Sequence, residues 1–341
     1  MATGTNRQWR LINRPTGEPT DDDFDLVETD VPDPGPNEVL VRTVYMSVDP
    51  YMRGRMRAGD SYADSWPLDE PMRSLVVGEV VESKHAAYEE GDLVRGNLYW
   101  AEYAAVDGHE LEPVDTRGAP VSTALHVLGM PGMTAYVGTV EVGHVKPGDT
   151  VVVSGAAGAV GSVAGQIARI AGCRVVGIAG SDEKTAWITD DLGFDAAINY
   201  RAVDDLTAAV ADRCPDGVDL YYENVGGPVS DAVFEQLNDF SRVAVCGKIS
   251  LYNAPPDDDR MYGPRWLHQR TRTRVEGFIV SDYDHLEEQA LDRVADWVTD
   301  DRIRYRETVT DGIEHAPEAF LGLFEGGNVG KQLVAVSEPP Q

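Results

Sequence analysis

The sequence predicts a two-domain α/β protein in which a doubly wound parallel sheet is joined to a mainly β partner. Three observations carry that prediction. Residues 150–279 alternate continuous apolar strands with helical stretches, a glycine-rich turn joins the first of these strands to the first helix, and the flanking segments hold short valine-rich strands between turns. At 341 residues the chain also exceeds the usual size of one hydrophobic core.

Val39 to Val44 and Leu75 to Glu82 read as strands, because valine recurs in short apolar runs, with Asp33-Pro34-Gly35-Pro36 and Glu90-Gly91-Asp92 as turns. Around Leu125 to Val140 the pattern becomes helical, and the Lys146-Pro147-Gly148-Asp149 turn opens a new rhythm. Thr150 to Val153 then reads as a buried strand, Ala159 to Ala171 as a helix, Arg174 to Ile178 as a strand and Lys184 to Leu192 as a helix. Further strands follow at Ala196 to Asn199, Val218 to Glu223, Arg242 to Val245 and Arg274 to Ile279. Apolar strands without alternation need cover on both faces, which a parallel sheet flanked by helices provides. Leu286, Ala290, Leu291, Val294 and Val298 share one helical face between His285 and Thr299 and close this domain. Arg304 to Val336 returns to strand-turn character, so residues 1–128 completed by 304–341 are expected to form one domain and residues 129–303 the other.

Twenty-nine basic against 58 acidic residues give a formal net charge of -29, which argues against a nucleic-acid partner, whose phosphates need a basic face. The acids are scattered, and the runs Asp21 to Asp23 and Asp257 to Asp259 sit beside loops containing proline, so the acidity reads as a carboxylate-solvated, salt-adapted surface. A specific basic partner is the rival reading. No window resembles a membrane span and Met1 to Arg10 has no signal-like apolar stretch, so the expected location is the cytoplasm.

The cysteines, Cys173, Cys214 and Cys246, lie in the second half without metal-ligand spacing and read as small buried residues in a reducing compartment. Before Cys173 there is no cysteine, and the first histidine is His85, so a metal-assisted mechanism built on first-domain cysteine and histidine lacks its ligands.

Ser154 to Ser162, SGAAGAVGS, lies between the first strand and first helix of the alternating region. Gly158 lets backbone approach a pyrophosphate, Gly161 permits close helix–strand packing, and the helix N-terminus faces the anion. Ala156 replaces the first glycine of the usual fingerprint, and the context of strand, turn, helix and second strand restores its meaning. Sites for NAD place an acid at the end of the second strand; Gly180 and Ser181 stand there instead, leaving room for a 2′-phosphate, with Lys184 one turn on to supply charge. Asp182 and Glu183 can mimic the ribose acid, but they also suit a helix N-terminus. Only five of the basic residues are lysines, which gives Lys184 weight, and the expected cofactor is NADPH.

SVDPYMRGRM (Ser47 to Met56), GMPGMTAY (Gly129 to Tyr136), SGAAGAVGS, AGSDEK (Ala179 to Lys184), ENVGG (Glu223 to Gly227), CGKISLYN (Cys246 to Asn253) and GGNVGK (Gly326 to Lys331) occur in this order. Together they resemble the zinc-free branch of the medium-chain dehydrogenase/reductase superfamily that contains prostaglandin/leukotriene reductases and alkenal double-bond reductases. The resemblance spans nearly the whole chain. It implies a Rossmann-type doubly wound sheet plus a mainly β GroES-like catalytic domain, NADPH as cofactor, no metal, and a homodimer joined through the nucleotide domains. It further implies that Lys184 and Tyr200 contact the 2′-phosphate, that Asn224 lies along the cofactor and that Asn328 approaches the nicotinamide. Thr134, Gly155, Ala157, Gly158, Val160 and Gly161 would line the cofactor with Gly180 and Ser181, followed by Val225, Cys246, Gly247, Ile249, Phe278 and Ile279. Tyr252 would reach the substrate, with Tyr51 and Met130 near the pocket. Lys248 departs from the small or apolar residue of relatives and puts the pocket's polarity in question.

Hydride added to the β-carbon of an enal or enone places negative charge on the carbonyl oxygen, and Tyr252 is the leading candidate to stabilise it and pass a proton. Its alternative role is to anchor a loop with its hydroxyl on backbone. Tyr51 can equally pack at a domain edge, and Gly132 and Gly227 serve turns or close approach. Arg53, Arg55 and Arg57 alternate as on a strand face and read as solvated or salt-paired, or as an attractant for an acidic substrate tail. Reduction of quinones uses the same fold and cofactor, and a cofactor-binding scaffold without turnover would share both; the intact CGKISLYN segment favours catalysis.

Overall fold

The computed structural model describes residues 4–59, 61–254 and 269–340. The acidic run Asp257 to Asp259 lies outside the described residues. The chain divides into two compact units, one comprising 1–125, 307–327 and 332–341, the other 126–306 and 328–331.

The first unit begins with β1 (Thr5–Leu11) and β2 (Phe24–Asp30), an antiparallel pair. Strands β3 (Glu38–Ser47) and β4 (Arg73–Ser83) follow, with helix α1 (Met52–Arg55) between them, then β5 (Leu93–Tyr99), β6 (Tyr103–Asp107) and β7 (Leu111–Pro113). Val39, Val41, Val76, Val80, Val94 and Leu98 point into one core with Trp100, whose ring lies 6.4 Å from Trp66 and 6.2 Å from Phe320 in edge-on geometry. Each such valine withdrawn from water contributes about 1.5 kcal/mol or more.

In the second unit, α2 (Met130–Tyr136) runs into a π-turn over Val137–Val142, so the helical stretch expected from Leu125 is shorter and changes pitch. Strand β8 (Thr150–Ser154) is buried at every position, as its unbroken apolar pattern requires. Helix α3 (Gly161–Ile170) starts two residues later than the sequence suggests, because the turn before it closes through the Gly158 amide on the Gly155 carbonyl at 2.9 Å. Strand β9 (Arg174–Ala179) leads to α4 (Asp182–Ala186), which continues as a π-turn to Asp191 and begins earlier than the expected Lys184 because the Ser181 hydroxyl caps it.

Then come β10 (Ala196–Asn199), α5 (Leu206–Arg213), β11 (Val218–Glu223), α6 (Gly227–Phe234), β12 (Leu237–Val245), β13 (Arg274–Gly277) and α7 (Glu287–Thr299). The six strands form one sheet in the order β10-β9-β8-β11-β12-β13, with parallel pairing throughout. Strand order therefore reverses between β8 and β11, and a sheet of this kind binds ligands outside the carboxyl ends of its strands at that reversal.

The chain then adds β14 (Glu307–Asp311), α8 (Ala316–Glu325) and β15 (Lys331–Ala335). The sheet of the first unit has the order β14-β15-β3-β4-β5-β7, with β6 also on β3. Helix α8 corrects the strand-turn reading of Arg304 to Val336: Ala316, Ala319, Phe320 and Leu323 bury one face in the first unit's core. A second correction concerns Arg53, Arg55 and Arg57. Arg53 and Arg55 lie on a short helix rather than a strand, and Arg53 is fully buried instead of solvated. Of the cysteines, expected to be buried, Cys214 is buried while Cys173, just before β9, and Cys246, just after β12, are partly exposed. No helix among the described residues is long and apolar enough to cross a membrane.

Candidate functional site

The glycine turn stands at the carboxyl end of β8, beside the strand-order reversal. Gly155 has φ +59, a left-handed conformation that glycine adopts without strain. A side chain at Gly161 would collide with the Gly155 carbonyl oxygen, so the third glycine is required by the tight return of helix onto strand. No side chain caps the N-terminus of α3 at Val160, and the Ser162 hydroxyl in its first turn is buried without a hydrogen-bond partner. Ala157 accepts from the Gly330 amide at 2.7 Å, and Gly158 bridges to Gly330. Through Gly330, whose carbonyl accepts from the Asn328 side-chain amide at 2.7 Å, the 328–331 segment is joined to the phosphate turn.

A second cluster forms where β9 and β10 end. The Ser181 hydroxyl accepts from the Lys184 amide at 3.3 Å, and Asp182 accepts from the Asn199 side chain at 2.7 Å. Asp182 and Glu183 thus occupy the first turn of α4, where carboxylates favour the helix dipole. Gly180 faces Tyr200, whose ring a Cβ there would meet at 3.1 Å. The Tyr200 hydroxyl accepts from Arg201 Nε at 3.2 Å. Lys184 is half-buried, and burial together with the Arg201 cation holds its ammonium below the ordinary lysine value. Lys184 thus lies within electrostatic reach of Arg201, and a region carrying two cations favours an anion of multiple charge. Arg201 was missed by the motif reading; its signal was a base directly after Tyr200 in a chain poor in bases.

The third cluster is built on Glu223, the last residue of β11 and fully buried. Its carboxylate accepts from the Val225 and Gly226 amides, each at 2.9 Å, and from the hydroxyls of Ser154 and Ser230. These bonds shape the loop that carries Asn224, whose side chain donates to the Ser154 carbonyl at 2.7 Å. The next loop is clipped onto this one. Cys246 and Gly247 amides donate to the Glu223 carbonyl, Ile249 to Asn224 at 3.1 Å and Ser250 to Val225 at 2.9 Å. Burial pushes the Cys246 thiol up to about 12, so it is no thiolate at neutral pH. Sequence reading had not singled out Glu223, although it opens the ENVGG motif.

Tyr252 follows a 3₁₀ turn, Ile249–Leu251, and its hydroxyl folds back to accept from the Lys248 amide at 3.4 Å. Gly247 makes room: a Cβ there would lie 3.1 Å from the Tyr252 hydroxyl. The loop-anchoring role weighed for this tyrosine is therefore present in part. A phenol that accepts one N–H still carries a proton to donate.

Met130 opens α2, and the Thr134 hydroxyl donates to its carbonyl at 2.7 Å. Thr134 in turn accepts from the Tyr222 hydroxyl at 2.8 Å. Gly138, on the π-turn, leaves space that Tyr222 and Phe278 fill. Ile279 follows Phe278 at the end of β13 and accepts from the Asp282 amide at 3.0 Å.

Tyr51 belongs to the first unit, immediately before α1, packed against that unit's core. Burial and the Asp49 carboxylate raise its hydroxyl above the ordinary tyrosine value, so it is a neutral phenol. Next to it, burial and the neighbouring Arg57 push the Arg53 guanidinium down to about 10, leaving it charged at neutral pH.

The residues fit a phosphorylated dinucleotide: an uncapped helix end with an orphaned buried hydroxyl, a left-handed glycine at the strand-order reversal, and a paired-cation cluster where the second strand ends. Among the described residues no three histidine, cysteine, aspartate or glutamate side chains are grouped to hold a metal ion.

Residues 7–114 match the family described as the N-terminal domain of oxidoreductase, and residues 159–296 the one described as zinc-binding dehydrogenase. An NADPH-dependent curcumin reductase of Escherichia coli (strain K12) is 45% identical over 97% of both chains. An NADP(+)-dependent 2-alkenal reductase of Nicotiana tabacum is 42% identical over 98% of both. Among solved structures, the crystal structure of CurA from Vibrio vulnificus in complex with NADPH superposes with a TM-score of 0.92 at 42% identity, covering 98% of this chain and 100% of that one.

Proposed function

Because the chain belongs to the zinc-free prostaglandin/leukotriene and alkenal reductase branch of the medium-chain dehydrogenase/reductase superfamily, we propose that it is an NADP-dependent oxidoreductase reducing the carbon–carbon double bond of α,β-unsaturated aldehydes and ketones. The observation that carries this reading is the pairing of a glycine turn at the strand-order reversal with the Lys184, Tyr200 and Arg201 cluster at the end of the second strand. When bound, NADPH supplies the hydride.

In this proposal the backbone of Gly155, Ala157, Gly158, Val160 and Gly161 receives the pyrophosphate, helped by the α3 N-terminus. Gly180 and Ser181 admit the 2′-phosphate, which Lys184 and Tyr200 bind and Arg201 attracts. Thr134, Asn224, Val225, Cys246, Gly247, Ile249, Phe278 and Ile279 line the cofactor, with Asn328 toward the nicotinamide. Tyr252 is the catalytic residue. Its hydroxyl donates a hydrogen bond to the substrate's carbonyl oxygen as negative charge develops there, which lowers the barrier because the donor is already in place. The α-carbon receives its proton from that hydroxyl or from water. Met130 and Tyr252 contact the substrate.

The test is steady-state turnover of NADPH with a panel of 2-alkenals, enones and quinones. Decay of NADPH absorbance with enals or enones, and retention of a saturated carbonyl product, is the expected result. A clear preference for quinones, or tight NADPH binding with no decay over the whole panel, would overturn it.

The proposal extends to a homodimer, to a cytoplasmic location and to a salt-adapted surface. The net charge of -29 supports the last point, since added salt screens the self-repulsion of such a surface. Sedimentation tests the first, and the melting temperature across a potassium chloride series, expected to rise, tests the last.

A further inference from the structure

Glu223 ends β11 at the strand-order reversal, and none of its surface meets water. A carboxylate survives there only with its lone pairs filled, and an apolar residue of similar volume is often equally stable in such a place. Fold stability alone is therefore a weak reason for this acid. Its oxygens gather donors from three elements. Oε1 accepts from the Val225 and Gly226 amides, at 2.9 Å each, and from the Ser154 hydroxyl on β8 at 3.2 Å, while Oε2 accepts from the Ser230 hydroxyl on α6. Ser154 in turn accepts from the Asn224 amide at 2.9 Å. Three successive amides, 224 to 226, are thus directed onto one carboxylate, the first of them through a hydroxyl. The loop they form is the seat of the next one. Its Asn224 and Val225 carbonyls accept from the Ile249 and Ser250 amides, and the Val225 carbonyl also from the Ser250 hydroxyl at 2.6 Å. The approach is close: a Cβ on Gly226 would lie 3.1 Å from Leu251 and 3.2 Å from Lys248. The 3₁₀ turn that ends at Tyr252 therefore rests on backbone whose course the carboxylate dictates.

We propose that Glu223 is a positioning residue for Tyr252: by drawing the Val225 and Gly226 amides and the Ser154 and Ser230 hydroxyls onto itself, the carboxylate sets the loop against which the Ile249–Leu251 turn holds the phenol. This rests on the reading that the Tyr252 hydroxyl donates to the substrate's carbonyl oxygen. A donor aimed at developing charge works only when held near its productive geometry, so the buried groups that hold it share in its effect. What residue 223 must supply is length and acceptors rather than charge. Glutamine keeps the length: its carbonyl oxygen can face the two amides while its NH2 faces the Ser230 oxygen, which is able to accept. Methionine keeps the volume and loses the acceptors, leaving the amides of Val225 and Gly226 free to turn the loop elsewhere.

The experiment compares Glu223→Met, Glu223→Gln, Tyr252→Phe and the double variant Glu223→Met/Tyr252→Phe in the full chain, with a 2-alkenal and NADPH. Glu223→Met is expected to lower kcat about tenfold, in line with the cost of slight misplacement of a reacting group, and Glu223→Gln to restore it to within about threefold of wild type. The ratio of KM for NADPH to that for NADH stays put, because the cluster around Lys184 lies at the ends of other strands. In the Tyr252→Phe background the loss from Glu223→Met shrinks to about twofold or less, since a positioning residue acts only through what it positions. Unchanged kcat in a folded Glu223→Met protein, an equal loss in both backgrounds, or a Glu223→Gln protein as slow as Glu223→Met overturns the proposal. If Glu223→Met does not fold, Ser230→Ala, which withdraws one donor from the carboxylate, decides by the same coupling, with an expected loss of about threefold. Should wild-type protein turn over no enal or enone, or Tyr252→Phe keep full activity, the functional reading fails and takes this inference with it. Turnover by wild type and its loss in Tyr252→Phe, with no coupling between the two residues, sinks the Glu223 inference alone.

Discussion

The turn from Gly155 to Gly161 and the loop from Cys246 to Tyr252 both follow strands of one parallel sheet, yet they are made in different ways. The glycine turn is shaped by its own backbone: a left-handed Gly155, a short bond from Gly158 and a contact at Gly161 that excludes any side chain. The second loop has its shape imposed from outside, by bonds to Glu223, Asn224 and Val225 on the neighbouring loop. A grip on an invariant group such as a pyrophosphate can be local and rigid. The loop proposed to meet substrate takes its form from its neighbours, where change is easier to accommodate.

The largest expected effect strikes the local device. Gly161→Val should abolish measurable NADPH binding in a calorimetric titration, because the added side chain drives α3 away from Gly155. Retained affinity would mean that the turn is not shaped by that contact.

Tyr252→Phe tests the other region. Removing one donor to a developing oxyanion typically costs about 100-fold in kcat, and NADPH affinity should stay put, since the phenol ring keeps its place. If the main role of the hydroxyl is its bond to the Lys248 amide, turnover instead falls little and the loop loosens, visible as faster amide exchange at Lys248.

Lys184→Ala should raise the KM for NADPH about tenfold, the worth of one charge-assisted hydrogen bond, and leave that for NADH nearly unchanged. An equal change for both nucleotides removes Lys184 from the phosphate site. The smallest effect belongs to Arg201→Ala, expected at about threefold in the same ratio because the side chain is exposed, and fading at high salt. A loss as great as that of Lys184 would show that the two cations act as one unit.

Legibility follows the same division. Strands β8, β10 and β11 could be read nearly to the residue, since an unbroken apolar run in a parallel sheet has little freedom of interpretation. The glycine turn could be read because its conformation allows few residue types. Helix α8 is not legible, since strand and turn signals on both sides mask its apolar spacing, and α4 begins before the expected Lys184 because Ser181, which leaves space for a phosphate, also caps the helix. Glu223 and Arg53 illustrate the deeper limit. A buried carboxylate and a buried guanidinium look in sequence like two more charges in a chain that has many.

The amino-acid sequence alone determined the parallel sheet, the place of the phosphate turn and the lack of first-domain cysteine ligands, because periodicity, glycine geometry and residue type are local properties. Only the tertiary structure decided that Glu223 organises two loops, that Arg201 joins Lys184 and that Arg53 is buried on the carbonyls of Pro15 and Gly17. Each of those facts depends on which groups, distant along the chain, meet where water is excluded, and no local pattern encodes such a meeting.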